Sequence, residues 1–275
     1  MPFVDITNQS IFYAARGLSG APLVFIHGAG DSHLCWNGQL AAFGAHRANQ
    51  FAPTQTPSVP ADTGTVSAAR AFALDLPGHG RSGGAGRTTV HDYAVAVREF
   101  LDVLNLERAV IVGISMGGAI AQTLAVDFPE RVLGLGLVGT GAKLRVAPAF
   151  LQGIQSDFEN IARVLVENFF TPDAPRELKE KGVTQLLATG AQVTYDDFAA
   201  CDAFDLRARL GEIRARTLIV CGSEDKMTPP KYSEYLAQNI AGAQYHRIEN
   251  AGHMTMLEQP AAFNAILGAW LGRLN

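Results

Sequence analysis

Apolar, strand-length runs recur along the chain at 22–27 (PLVFIH), 71–75 (AFALD), 109–114 (AVIVGI), 132–138 (VLGLGLV), 217–221 (TLIVC) and 243–248 (AQYHRI). Between them the spacing of apolar residues turns helical. One such segment covers roughly 88–104, with Thr88 and Thr89 as candidate N-caps, and another covers 116–127 and stops before Phe128–Pro129. Two more fall near 231–240 and 260–272; the last has Pro260 in its first turn and Phe263, Ile266, Leu267 and Trp270 on one face. Continuous apolar strands alternating with helices predict an α/β fold: a mainly parallel twisted sheet of about eight strands with helices on both faces.

Three segments depart from this rhythm. The runs PFVDI and SIFYA flank Thr7–Asn8–Gln9 and predict an opening antiparallel hairpin. Residues 47–68 carry Pro53, Pro57 and Pro60 among many Thr, Ser and Ala, and so predict a loop insertion on the amino-terminal side of the 71–75 strand, away from the carboxyl-end rim. Residues 141–213 hold helical patterns such as FENIARVLVENFF and no convincing strand. The expected organisation is a core of residues 1–140 and 214–275 with a helical cap at 141–213.

The chain holds a single G-x-S-x-G, Gly113–Ile114–Ser115–Met116–Gly117, where a strand passes into a helix. A serine there occupies a tight turn that pushes its hydroxyl out of the sheet, and the amino end of the helix favours negative charge beside it. A serine hydroxyl is a weak nucleophile at neutral pH and needs a base such as the imidazole of His253. Asp225 and His253 also follow apolar runs directly, which places all three at the carboxyl ends of strands, where open parallel sheets bind ligands.

Five motifs in order carry a resemblance over almost the whole chain: His27–Gly28–Ala29–Gly30, Asp75–Leu76–Pro77–Gly78–His79–Gly80–Arg81–Ser82, GISMGG, Gly222–Ser223–Glu224–Asp225 and Asn250–Ala251–Gly252–His253. The chain resembles the α/β-hydrolase superfamily, in particular its capped esterase, lactonase and perhydrolase-like branch. The resemblance implies Ser115 as nucleophile, His253 as base, Asp225 as the orienting acid, and the backbone N–H groups of Ala29 and Met116 as the oxyanion hole. Glu224 competes with Asp225 by adjacency, whereas residues 138–148 supply no acid after the sixth strand. His27 and His79 lie in family turns and are expected to be structural. His33 lies near the oxyanion loop, where it either edges the pocket or is solvated.

The implied activity is hydrolysis of a small or medium carboxylic ester or lactone through an acyl-serine. The same residues serve cofactor-free perhydrolases and C–C bond hydrolases, although HGAGD and Ile114 depart from the C–C hydrolase pattern. A non-catalytic ligand receptor of the same fold is the reading from another class. No cofactor or metal is implied.

Composition narrows the partners. Apolar residues make up 48% and charged ones 17%, enough for a large core. With a net charge of -4 and scattered Lys and Arg, nothing forms the basic stripe that nucleic acid requires, and no cluster points to an anionic substrate beyond Lys143 and Arg145 at the cap entrance. Residues 109–126 run eighteen positions without a charge, but the change from β-branched residues to Gly, Ala, Gln and Thr predicts a buried strand and packed helix, not a membrane span. MPFVDITNQS lacks the form of a secretory signal, so a cytoplasmic location is expected. Cys35, Cys201 and Cys221 have no metal-ligand spacing and are expected to be reduced and mostly buried. Lid aromatics, namely Phe150, Phe158, Phe169, Phe170, Tyr195, Phe198 and Phe204, are expected mostly to pack the cap onto the body.

Overall fold

A computed structural model describes residues 2–7, 9–44 and 70–274 of the chain; the 47–68 insertion lies outside them. The sheet has eight strands in the order β1-β2-β4-β3-β5-β6-β7-β8. These are β1 (Phe3–Ile6), β2 (Gln9–Arg16), β3 (Pro22–Ile26), β4 (Arg70–Leu74), β5 (Ala109–Ile114), β6 (Val132–Val138), β7 (Arg216–Gly222) and β8 (Gln244–Ile248). β2 runs antiparallel to β1 and β4, and every other pairing is parallel. The opening hairpin has Phe3 opposite Phe12 and Ile6 opposite Gln9. Gln9, expected in the turn, is already strand, because it pairs with Ile6 across the hairpin.

Why the strands read as continuous apolar runs is visible in β3. Leu23 and Phe25 enter one core cluster with Trp36, Leu40 and Phe263, while Val24 and Ile26 enter the other with Tyr93, Phe100 and Ile120. Both faces are covered, so neither set of alternating side chains meets water. One layer contains α1 (Asn37–Phe43) and α10 (Pro260–Leu271); the other contains α2 (Val90–Val103), α3 (Met116–Asp127) and α8 (Pro230–Asn239). Thr89 caps α2, its hydroxyl oxygen accepting the Asp92 N–H at 3.1 Å. Every residue of α3 from Met116 to Val126 is buried, which accounts for its uncharged composition. Among the described residues no helix is long and apolar enough to cross a membrane. The three cysteines are free and buried.

Between β6 and β7 the chain forms α4 (Pro148–Ser156), α5 (Phe158–Phe169), α6 (Arg176–Thr189) and α7 (Ala191–Ala203). An isolated antiparallel bridge, Lys143 with Asp205, joins the two ends of this helical insertion. Short α9 (Thr255–Glu258) follows β8.

Because β3 lies between β4 and β5, the chain leaves β3 toward β4 and leaves β5 toward β6 on the opposite side, so the connections after β3 and β5 diverge and their loops frame a crevice.

Candidate active site

Ser115 is the hinge between β5 and α3 and takes φ 55°, ψ -118°, a conformation that costs a non-glycine residue strain. Its surroundings hold it there. The Ser115 N–H donates to Val138 O at 2.9 Å, and the Ser115 carbonyl accepts the Thr140 hydroxyl at 2.8 Å. Glycines permit the turn by letting backbones touch: a Cβ on Gly113 would lie 2.0 Å from Gly117 O, and one on Gly117 would lie 2.4 Å from Ile26 O.

Asp225 and His253 follow β7 and β8 and meet across the rim, with His253 Nδ1 donating to Asp225 Oδ2 at 2.9 Å. Asp225 also accepts the Thr228 hydroxyl at 2.8 Å and the backbone N–H groups of Met227 and Thr228 at 2.9 and 2.8 Å. Burial alone would raise its pKa; the charge of His253 and these hydrogen bonds outweigh that, and the carboxyl titrates below its ordinary value. Glu224, the competing acid, is exposed. Ser115 and His253 line one cavity, of about 60 Å³, without a hydrogen bond between them. Contacts of this kind commonly tighten only when substrate is bound.

The loop after β3 completes the rim. Ala29 lines the same cavity, and Met116 is the first residue of α3. Neither backbone N–H is engaged among the described residues, so both remain free to donate. His27 fastens this loop to the one after β4: its Nδ1 donates to Gly28 O at 2.8 Å and its Nε2 accepts the Leu76 N–H at 3.0 Å. Burial, and then the neighbouring His79, pull the His27 pKa down to about 4, so the ring is neutral.

His33 neither edges the cavity nor is solvated. It is buried, and its ring and backbone N–H both bond Asp75 Oδ1, at 2.8 and 2.7 Å. Two of the insertion's aromatics, Phe169 and Phe198, line the cavity that holds Ser115 and His253. Phe169 also caps the rim, its carbonyl accepting the His253 N–H at 2.9 Å. Phe150, Phe158, Tyr195 and Phe204 pack into the core clusters.

Two features were not read from the sequence. Asp31, at the cavity wall, is pushed up to about 6, chiefly by burial, against a hydrogen bond from the Ser32 N–H. Thr228 orients Asp225; the Asp-x-x-Thr spacing is a local turn signal that could have pointed to it.

Cations scattered in sequence are also gathered by the fold: Lys143, Arg145, Arg207 and Lys231 surround an adjoining cavity of about 280 Å³. Asp205 pairs with Lys143 at 2.8 Å and with Arg207 at 2.7 Å, which leaves Arg145 and Lys231 as the cations without an ion pair there among the described residues. Among those residues, no group of three or more His, Cys, Asp or Glu is arranged to hold a metal ion.

The alpha/beta hydrolase family profile matches residues 23–266. The chain belongs to this family. A 3-oxoadipate enol-lactonase from Acinetobacter baylyi is 32% identical to this hydrolase over 98% of the chain and 95% of the relative. A 2-hydroxy-6-oxo-6-phenylhexa-2,4-dienoate hydrolase from Comamonas testosteroni is 27% identical over 95% of the chain and 91% of the relative. The solved structure of a thermophilic esterase superposes with a TM-score of 0.83 at 32% identity, covering 99% of this chain and 97% of that one.

Proposed function

We propose that this hydrolase cleaves a carboxylic ester or lactone through an acyl intermediate on Ser115. The observation that carries the reading is the 2.9 Å Asp225–His253 hydrogen bond at the wall of a cavity that also holds Ser115 in its strained turn. In this scheme Ser115 Oγ adds to the substrate carbonyl carbon as its proton passes to His253 Nε2. The carbonyl electron pair moves onto oxygen, where the N–H groups of Ala29 and Met116 meet the charge; each such donor is typically worth about 3 kcal/mol of barrier. Collapse expels the alkoxide, which takes the proton from His253, and water repeats the sequence to release the acid. Asp225 holds the His253 tautomer and balances the imidazolium.

The catalytic cavity has room for a small group only. A second, larger cavity of about 670 Å³ shares Ala29, Asp31, Phe169 and Met254 with it and has Leu34, Leu178, Leu186 and Leu257 in its walls. The reading is therefore an ester or lactone with a compact group at Ser115 and an apolar chain beneath the helical insertion, which acts as a cap. Arg145, shared with the basic cavity, tolerates an anionic substituent on the other side.

The test is a panel of p-nitrophenyl esters of increasing chain length, lactones, and peroxide with acetate, run with the parent and Ser115→Ala. The expected result is ester or lactone turnover that Ser115→Ala loses by at least about a thousandfold with folding intact. No ester or lactone turnover anywhere in the panel, or parental activity in Ser115→Ala, refutes the reading. Turnover with peroxide alone would assign the residues to perhydrolysis, and failure of a fluorophosphonate to label Ser115 would favour a ligand receptor.

A further inference from the structure

The insertion carries a fully buried carboxylate, Asp197 on α7. A charge at that depth needs compensation, and three donors from the body supply it. Asp197 Oδ2 accepts the Gly30 N–H at 2.8 Å and the His79 Nε2–H at 2.7 Å, and Oδ1 accepts the Tyr93 hydroxyl at 2.6 Å. The other nitrogen of His79 faces Pro77 O at 3.0 Å, so both ring nitrogens donate and the imidazole is charged.

Gly30 is the informative partner. It directly follows Ala29 and takes φ +69°. The Gly28–Ala29–Gly30 run has no side chain larger than a methyl with which to anchor itself. The body holds its first carbonyl, through His27. Both polar backbone groups of Gly30 are held by the insertion instead: the N–H by Asp197, and the carbonyl by the Thr189 hydroxyl at 2.8 Å, at the end of α6. Contact is close, since a Cβ on Gly30 would lie 2.4 Å from Leu186 Cδ2.

We propose that Asp197 is a positioning residue for the oxyanion hole: with Thr189 it clasps Gly30 from the insertion and thereby aims the Ala29 N–H. Seating of α6 and α7 and preparation of the oxyanion donors are then one event, and a displaced insertion leaves the nucleophile in place with its electrostatic partner misaligned. The inference rests on the acyl-Ser115 reading.

The experiment compares the parent with Asp197→Asn and Thr189→Val on one ester. It measures kcat and KM separately, together with inhibition by a trifluoromethyl ketone, whose serine adduct places an oxyanion in the hole, and by the product acid. In Asp197→Asn, kcat is expected to fall about 10- to 100-fold and ketone affinity to fall in step, with KM and product-acid inhibition within about threefold. Thr189→Val, which keeps the buried charge network intact, should show the same pattern at about three- to tenfold and stands in if Asp197→Asn does not fold. A folded variant with parental kcat and ketone affinity, or a loss confined to KM, overturns the proposal and leaves Asp197 a structural pin. Fluorophosphonate labelling of the parent separates the two readings: an unlabelled parent removes the serine mechanism and this inference with it, whereas a labelled, active parent matched by its variants removes the inference alone.

Discussion

Gly139 is pressed against His253: a Cβ on Gly139 would lie 3.1 Å from His253 Nδ1 and 3.2 Å from Asp225 Oδ2. The end of β6, which supplies no acid in this chain, is thus filled by the hydrogen-bonded pair arriving from β7 and β8. Gly139 also takes φ +46°, a conformation costly for a residue with a Cβ. Gly139→Ala should therefore lose about 1–2 kcal/mol of stability by chemical denaturation. Its kcat should fall about tenfold or more as the imidazole shifts. Unchanged kinetics would show that the contact is slack.

The two adjacent acids should separate cleanly. Asp225→Asn is expected to lower kcat by about 10³–10⁴, the scale known for loss of the orienting acid, whereas exposed Glu224→Gln should stay within about twofold. Steady-state kinetics on the best ester of the panel decides between them.

Buried His79 faces Asp197, with Asp75 and neutral His27 nearby. Burial opposes its charge, but Asp197 outweighs burial through its own charge and hydrogen bond, and the His79 pKa is raised. A histidine raised on folding contributes stability that is complete below about 6.5 and is lost as pH rises through the folded value. Denaturation curves taken from pH 6.5 to 9 should show this loss in the parent, and Asp197→Asn should flatten it.

Asp31 carries the opposite kind of cost. Its carboxyl is pushed up to about 6, so the folded state holds a proton that the unfolded chain releases near 4. Stability contributed by that proton is lost as pH rises through about 6. Asp31→Asn should raise Tm at pH 7.5 and gain little at pH 4, and an equal shift at both would remove the assignment.

Filling the larger cavity should shorten the preferred chain. Leu178→Trp, on its wall, is expected to cut kcat/KM for an octanoyl ester by about tenfold or more and to leave the acetyl ester within about twofold. A uniform loss across chain lengths would place the apolar chain elsewhere.

Local pattern and chain order were enough for the strands and for α2 and α3 and their ends, and the family resemblance added the three residues that the fold brings to one rim. Strand runs, the G-x-S-x-G turn and the Thr89 cap each express themselves within a few residues, because backbone geometry and caps are short-range effects. What only tertiary structure decided is who meets whom across the insertion. Asp197 reaches Gly30, His79 and Tyr93 over sequence separations of 167, 118 and 104, and nothing beside it in the sequence distinguishes it from half-buried Asp196. The same holds for His33, which lies just after the Gly28–Ala29–Gly30 loop in sequence yet is turned toward Asp75, and for Arg145 and Lys231, which share a cavity only after folding. Burial supplies the reason: a buried polar side chain must find its partner wherever the packed elements place one, and that position is a property of the assembled layers.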